Sequence, residues 1–216
     1  MLIACWSVKG GVGTTVASVA MALGAARVAR PVLLVDLAGD VPGCLGVAES
    51  AGPGVAEWLG AGSDAPPDAL VRLEQPLGPG LVLLHRGLGQ MAPGRAALLV
   101  QVLAASGRTV VVDCGRVDAS PVAQRFAAEA DRSVLVTRLC VLALRRAAAA
   151  PVRPSGVVVV RDAGRSLSLT DVEQTVGAPI LAEVAVDPSV ARAVDVGLAR
   201  VRIPRGLADV LASVAA

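Results

Sequence analysis

At 216 residues the chain is long enough for one domain with a sizeable core. It is 54% hydrophobic but only 1% aromatic, so that core must be built from Val, Leu and Ala. A mean hydropathy of +0.66 invites a membrane reading, but no uninterrupted apolar stretch reaches the roughly 18–20 residues of a spanning helix. The best run, SVLVTRLCVLALRR, is broken by Arg138, and a formal net charge of +2 does not by itself argue for nucleic-acid binding.

The first apolar run, LIACWSV, reads as a strand. A glycine-rich loop follows, then TVASVAMALGAARVA, whose small apolar residues recur at helical spacing. PVLLVDL is a second strand, a continuous apolar run typical of a parallel strand covered on both faces. Between Gly39 and Gly80 the chain is rich in Gly and Pro, with short helices expected at GVAEWLG and near PPDALVRL. This segment reads as the most mobile part of the chain, but it is too broken to be a domain boundary. GLVLLH is a third strand, GRAALLVQVLAAS a helix and RTVVVDC a fourth strand. SPVAQRFAAEA opens with Ser120 as an N-cap and Pro121 at the first helical position, and DPSVARAVDVGLA repeats that start at Asp187 and Pro188. RSVLVTR, SGVVVVR and APILAEV continue the strands, and IPRGLADVLASVAA closes the chain. Strands and helices alternating through such short connections imply a single α/β domain over residues 1–216, with a mainly parallel sheet flanked by helices.

Individual residues narrow the chemistry. Cys5, Cys44, Cys114 and Cys140 are scattered without a CxxC pair, so they read as small buried hydrophobes in a reduced cytoplasm. With no basic region ahead of an apolar signal core, the expected location is cytoplasmic. His85 is the only histidine and follows an apolar run, which suggests a strand-end residue and removes most metal-site and Ser/His/Asp schemes. Lys9 is the only lysine; the other nineteen basic residues are arginines. That lysine lies in SVKGGVGTT, Ser7–Thr15. Glycines at 10, 11 and 13 let consecutive N–H groups converge on an anion at a helix N-terminus, and Thr15 stands where a hydroxyl would coordinate Mg²⁺. The phosphate-loop pattern GxxxxGK[ST] is met only in part: Val8 replaces the first glycine and Thr14 the lysine.

Read as a variant, KGGVGTT resembles the deviant loop KGGVGK[ST] of the ParA/MinD family of partitioning and positioning ATPases. PVLLVDLAGDVPGCLGV is similar to that family's second strand and first switch, TVVVDCG to its Walker-B strand, and DPSVARAVDVGLARVRIP to its late segment. The resemblance covers nearly the whole chain in order and implies a three-layer P-loop NTPase-like fold. It also implies that Lys9, Gly10, Gly11, Val12, Gly13, Thr14 and Thr15 cradle ATP or ADP. Thr15, Asp36 and Asp113 match the residues at the Mg²⁺, and Lys9 matches the signature lysine that reaches the partner's phosphates across a nucleotide-dependent homodimer.

The same comparison exposes losses. Thr14 replaces the lysine that grips the phosphates, and Ala38 replaces the second switch aspartate, which orients the attacking water. Asp40 lies close enough in sequence to be weighed as a substitute. The family reads adenine with a late asparagine, and this chain contains no asparagine. Arg161 or Asp162 could contact a base or form a satisfied strand-end pair. Arg145 and Arg146 fit either a polyanion or partner surface or a solvated helix face. The C-terminal LADVLASVAA lacks the basic amphipathic character of the family's membrane-targeting tails.

Three readings follow. The first is a nucleotide-responsive positioning or partitioning scaffold that hydrolyses slowly or not at all, with a protein partner in a positioning, pilus or secretion, or partition system. The others are an active partitioning ATPase and a structural module with an empty loop. The Arg- and Ala-rich composition suggests a bacterium of high GC content.

Overall fold

The computed structural model describes residues 1–28, 31–48, 52–62 and 66–215. Its centre is β1 (Leu2–Ser7), buried at every position. Helix α1 (Thr14–Ala26) follows, then β2 (Val32–Asp36) and two short helices, α2 (Val41–Leu45) and α3 (Val55–Gly60). A 3-10 turn at Pro67–Leu73 leads to a hairpin of β3 (Gln75–Gly78) and β4 (Leu81–Leu84). Next come α4 (Ala96–Ala104), β5 (Thr109–Arg116), α5 (Pro121–Glu129), β6 (Arg132–Arg138), α6 (Val141–Ala148) and β7 (Gly156–Arg161). The chain ends with α7 (Leu169–Val176), β8 (Ile180–Ala185), α8 (Pro188–Asp195), α9 (Ala199–Arg202) and α10 (Arg205–Ser213).

The strands form one sheet in the order β3-β4-β2-β5-β1-β6-β7-β8, parallel throughout except for the β3–β4 pair. Because side chains alternate along a strand, the sheet supplies two cores. Leu2, Ala4 and Trp6 face the layer that contains Leu99 of α4 and Phe126 of α5. Ile3 and Cys5 face α1 and the C-terminal helices. Trp6 is buried because its indole N–H has a partner: Nε1 donates to Ser133 Oγ at 2.9 Å. On the other face α1 and α10 approach backbone to backbone. A Cβ on Gly24 would stand 2.2 Å from the Ala208 carbonyl oxygen, so only glycine fits there.

The expected α/β class and three layers are present, and Ser120 and Asp187 cap α5 and α8 as read from sequence. The described parts of the Gly/Pro-rich segment hold α2, α3, the 3-10 turn and β3. Residues 49–51 and 63–65 of that segment, and Ala29 and Ala216 at the ends of two expected helices, lie outside the described residues. His85 is buried directly after β4, where its Nδ1 accepts from the Gly87 N–H at 3.1 Å. Among the described residues no helix is long and apolar enough to cross a membrane, and all four cysteines are free thiols.

Candidate functional site

In a sheet of this kind ligands gather beyond the C-terminal strand ends, where successive connections diverge. Here β1 is the divergence point: β5 and β2 lie on one side, β6 and β7 on the other. The loop after β1 is held by two valines on opposite faces of the sheet, Val8 in one core and Val12 in the other. Between them the backbone turns through Gly11 (φ 72°) and Gly13 (φ 96°), left-handed conformations that L side chains adopt at a cost. A Cβ at Gly11 would meet nothing within 4 Å, so the cradle is open rather than filled by protein. Helix α1 starts from Gly13 with no side-chain cap and no acidic residue in its first turn. Its first N–H groups are therefore available to an external acceptor.

The loop lines a cleft of about 690 Å³, shared with Ala38, Asp40, Arg86, Arg116 and Ser120. Gly10, Gly11, Gly13, Thr14 and Thr15 all line it. Val12 does not; it packs in the core and borders a neighbouring apolar pocket of about 130 Å³ that also holds Val160, Val190 and Leu207. Lys9 lines neither cavity and has no hydrogen bond or ion pair among the described residues.

Asp36, the last residue of β2, and Asp113, within β5, are register partners on adjacent parallel strands, on the face toward α1, and neither is exposed. The Asp36 carboxylate already serves the backbone. Oδ1 accepts from the Gly39 N–H at 2.6 Å and Oδ2 from the Val41 N–H at 3.2 Å, which shapes the loop into α2. Burial pushes its pKa up to about 6 against these amides. Asp113 Oδ1 accepts from the Gly115 N–H at 3.1 Å, whereas Oδ2 is buried with no hydrogen-bond partner. Burial pushes Asp113 up to about 7, the Thr15 side chain opposing the rise and the Asp36 charge adding to it. A buried, unpartnered carboxylate oxygen beside a threonine suits a cation. No group of three or more His, Cys, Asp or Glu among the described residues could hold a metal alone. A metal here would need phosphate oxygens as well, as Mg²⁺ at nucleotide sites does.

Ala38 packs close to Gly115, where a built Cβ would lie 2.9 Å from its methyl group. Asp40 is exposed in the cleft, and its side chain makes no cap bond to α2. Arg161 and Asp162 are each satisfied, though not by one another: Arg161 pairs with Glu183, and Asp162 with Arg138 at 3.1 Å and Arg165 at 2.9 Å. Arg145 and Arg146 lie on the exposed face of α6. Sequence reasoning did not find Arg86 or Arg116 as cleft residues. The available signal was that each lies just beyond the core of a strand, where the sheet's C-terminal edge meets the loop.

No protein-family model matches the chain, and no curated protein is a detectable relative by sequence. Solved structures do match over nearly its full length. The cell division ATPase MinD of Pyrococcus furiosus superposes with a TM-score of 0.79 at 19% identity, covering 99% of this chain and 97% of its own. The septum site-determining protein MinD of Pyrococcus horikoshii, solved with Mg-ADP, gives 0.77 at 19% identity over 98% and 93%. A ParA family ATPase of Chlorobium tepidum gives 0.76 at 18% identity over 99% and 98%. The chain therefore has the fold of the ParA/MinD P-loop ATPases.

Proposed function

We propose that the chain is a nucleotide-responsive positioning or partitioning scaffold that binds ATP or ADP in the cleft above β1 and hydrolyses it slowly or not at all. The observation that carries this reading is the uncapped N-terminus of α1, opened by Gly11 and Gly13 over the orphaned Oδ2 of Asp113. In this reading Gly10–Thr15 hold the phosphates, and the apolar pocket at Val12 and Val160 adjoins them as a place for the base. Thr15, Asp36 and Asp113 would hold Mg²⁺, whose chemistry is to neutralise phosphate charge.

Thr14 and Ala38 argue against turnover. A charge-assisted hydrogen bond contributes about 1.5–3 kcal/mol, so a neutral residue at position 14 weakens phosphate binding roughly 10- to 150-fold. A missing water-positioning carboxylate costs about 10²–10⁴ in rate. Affinity can survive the first loss; useful hydrolysis does not survive both. The exposed carboxylate of Asp40 in the cleft is the one observation that favours an active ATPase.

Calorimetry with ATP and ADP in the presence of Mg²⁺ tests binding, and an absent isotherm would leave only the empty-loop module. Phosphate release from the unaltered protein at the rate of an active ATPase would favour the enzyme. We further propose a cytoplasmic homodimer that recruits a protein partner, with Lys9 acting across the dimer because it lies outside its own cleft. Lys9→Ala should abolish an ATP-dependent dimer in sedimentation while leaving the melting temperature unchanged. A dimer that forms equally well without Lys9 would defeat that role.

A further inference from the structure

We propose that Arg86 and Arg116 supply the positive charge to the ligand's polyphosphate that Thr14 cannot, so that the anion-binding charge of this site has moved from the glycine loop to its flanks. The inference rests on the nucleotide-binding reading above and adds the residues that make it electrostatically workable.

They are the two cationic side chains that line the cleft among the described residues. Arg116 follows Asp113 by three residues, and its stem lies along the loop: a Cβ on Gly10 would stand 3.9 Å from Arg116 Cδ. Its guanidinium is held by Asp118, Nε to Oδ1 at 3.0 Å and Nη2 to Oδ2 at 2.5 Å, in a pair about half exposed on both sides. An exposed pair of this kind contributes little stability, so the fork can turn to a phosphate at small cost.

Arg86 comes from the end of β4, and its Cδ lies 3.4 Å from where a Cβ on Gly39 would be. It is partly buried, and its side chain has no hydrogen bond or ion pair among the described residues. It also borders a smaller cavity of about 170 Å³ that reaches Asp36. Its position is maintained by Glu57, whose Oε1 accepts from the N–H groups of Leu88 and Gly89 at 2.9 and 2.7 Å and so anchors the segment that carries it. Because β2 lies between β4 and β5, the two arginines rise from strands two places apart, about 10 Å at strand spacing, on either side of the Asp36–Asp40 loop. A partly buried arginine without an acidic partner is costly unless an anion joins it, and guanidinium forks suit phosphate oxygens.

The test is calorimetry of the full chain with Mg-ATP and, as a base-free probe, inorganic tripolyphosphate. Arg86→Gln and Arg116→Gln should each weaken both ligands about tenfold or more, and the double variant further. Arg86→Lys and Arg116→Lys should retain most of the affinity. Arg72→Gln, which removes an exposed charge on the 3-10 turn, should change nothing. Thermal melts confirm that each variant is folded, and the Lys variants separate lost charge from lost structure. Gln variants that bind both ligands as tightly as the parent would overturn the inference while leaving nucleotide binding intact. If the parent binds neither ligand, the nucleotide reading itself falls, and this inference falls with it.

Discussion

At the start of α7 the Ser168 hydroxyl accepts from the Asp171 N–H at 3.2 Å, and at the start of α8 the Asp187 carboxylate accepts from the Ser189 N–H at 2.7 Å. At α3 the Glu57 Oε2 turns back to the Gly54 N–H at 2.7 Å. Helix α1 begins instead at Gly13, with neither a capping side chain nor an acid in its first turn. All four helices have unpaired N–H groups and a positive end. At α7 and α8 a capping side chain takes a first-turn N–H, and at α3 the Val55 and Ala56 N–H groups donate to the His85 and Arg86 carbonyls. Helix α1, the only one of these four at the divergence point of the sheet, keeps its own free. The difference teaches that glycine at 13 is more than a turn residue: it withholds the side-chain acceptor that would compete with a bound anion.

The largest effect that could break this comparison is chemical. If α1 still presents working phosphate geometry, then adding back the charge and the carboxylate should restore turnover. Thr14→Lys combined with Ala38→Asp is expected to raise phosphate release by about 10² or more over the unaltered chain. A double variant that binds Mg-ATP more tightly without faster release would show that the cleft has lost the geometry as well as the groups.

A smaller effect is expected at α3. Glu57→Ala removes the acceptor for Gly54, Leu88 and Gly89 and should cost about 1–2 kcal/mol in denaturant unfolding, with weaker ATP binding because Arg86 loses its anchor. Burial raises the Glu57 pKa, but these amides outweigh it and hold the carboxyl below its ordinary value of 4.5. The folded state therefore binds its proton less readily than the unfolded chain does. The stabilisation is fully present above pH 4.5 and is lost as pH falls through the folded value. Comparing the variant with the parent at pH 7 and in the acid limb should show the gap closing only in acid.

The smallest effect belongs to α7. Ser168→Ala should cost about 1 kcal/mol of stability and leave nucleotide affinity unchanged, because that cap serves only its own helix. A fall in ATP affinity would mean that the far edge of the sheet is coupled to the cleft.

Elements with a strong local signal were legible in the chain. Strand β6 is found at Arg132–Arg138, as its apolar run predicts, and Ser120-Pro121 and Asp187-Pro188 start α5 and α8 because both the side-chain acceptor and the proline φ are local properties. Strand β3 was not legible. Gln75-Pro76-Leu77-Gly78 has little strand propensity and is extended because it pairs antiparallel with β4 at the sheet edge, where a proline is tolerated. Helix α2 contains Pro42 and Gly43 in five residues and is organised by the carboxylate of Asp36. Helix α7 carried a readable capping box at Ser168 and Asp171, but its apolar positions are too few to announce it.

The candidate site divides the same way. The glycine loop and Thr15 are marked in the sequence by an apolar run that leads into a helix start, and Asp36 and Asp113 by apolar runs that each reach an aspartate. The role of those two at a Mg²⁺ is what the family resemblance implies. That Asp36 is occupied by the amides of Gly39 and Val41, that Asp113 keeps one oxygen free, and that Arg86 and Arg116 meet at one cleft were decided only by the tertiary structure. Thirty residues separate those two arginines in the chain. What brings them together is the insertion of β5 between β1 and β2, a long-range pairing enforced by burial of both sheet faces and invisible to any local pattern.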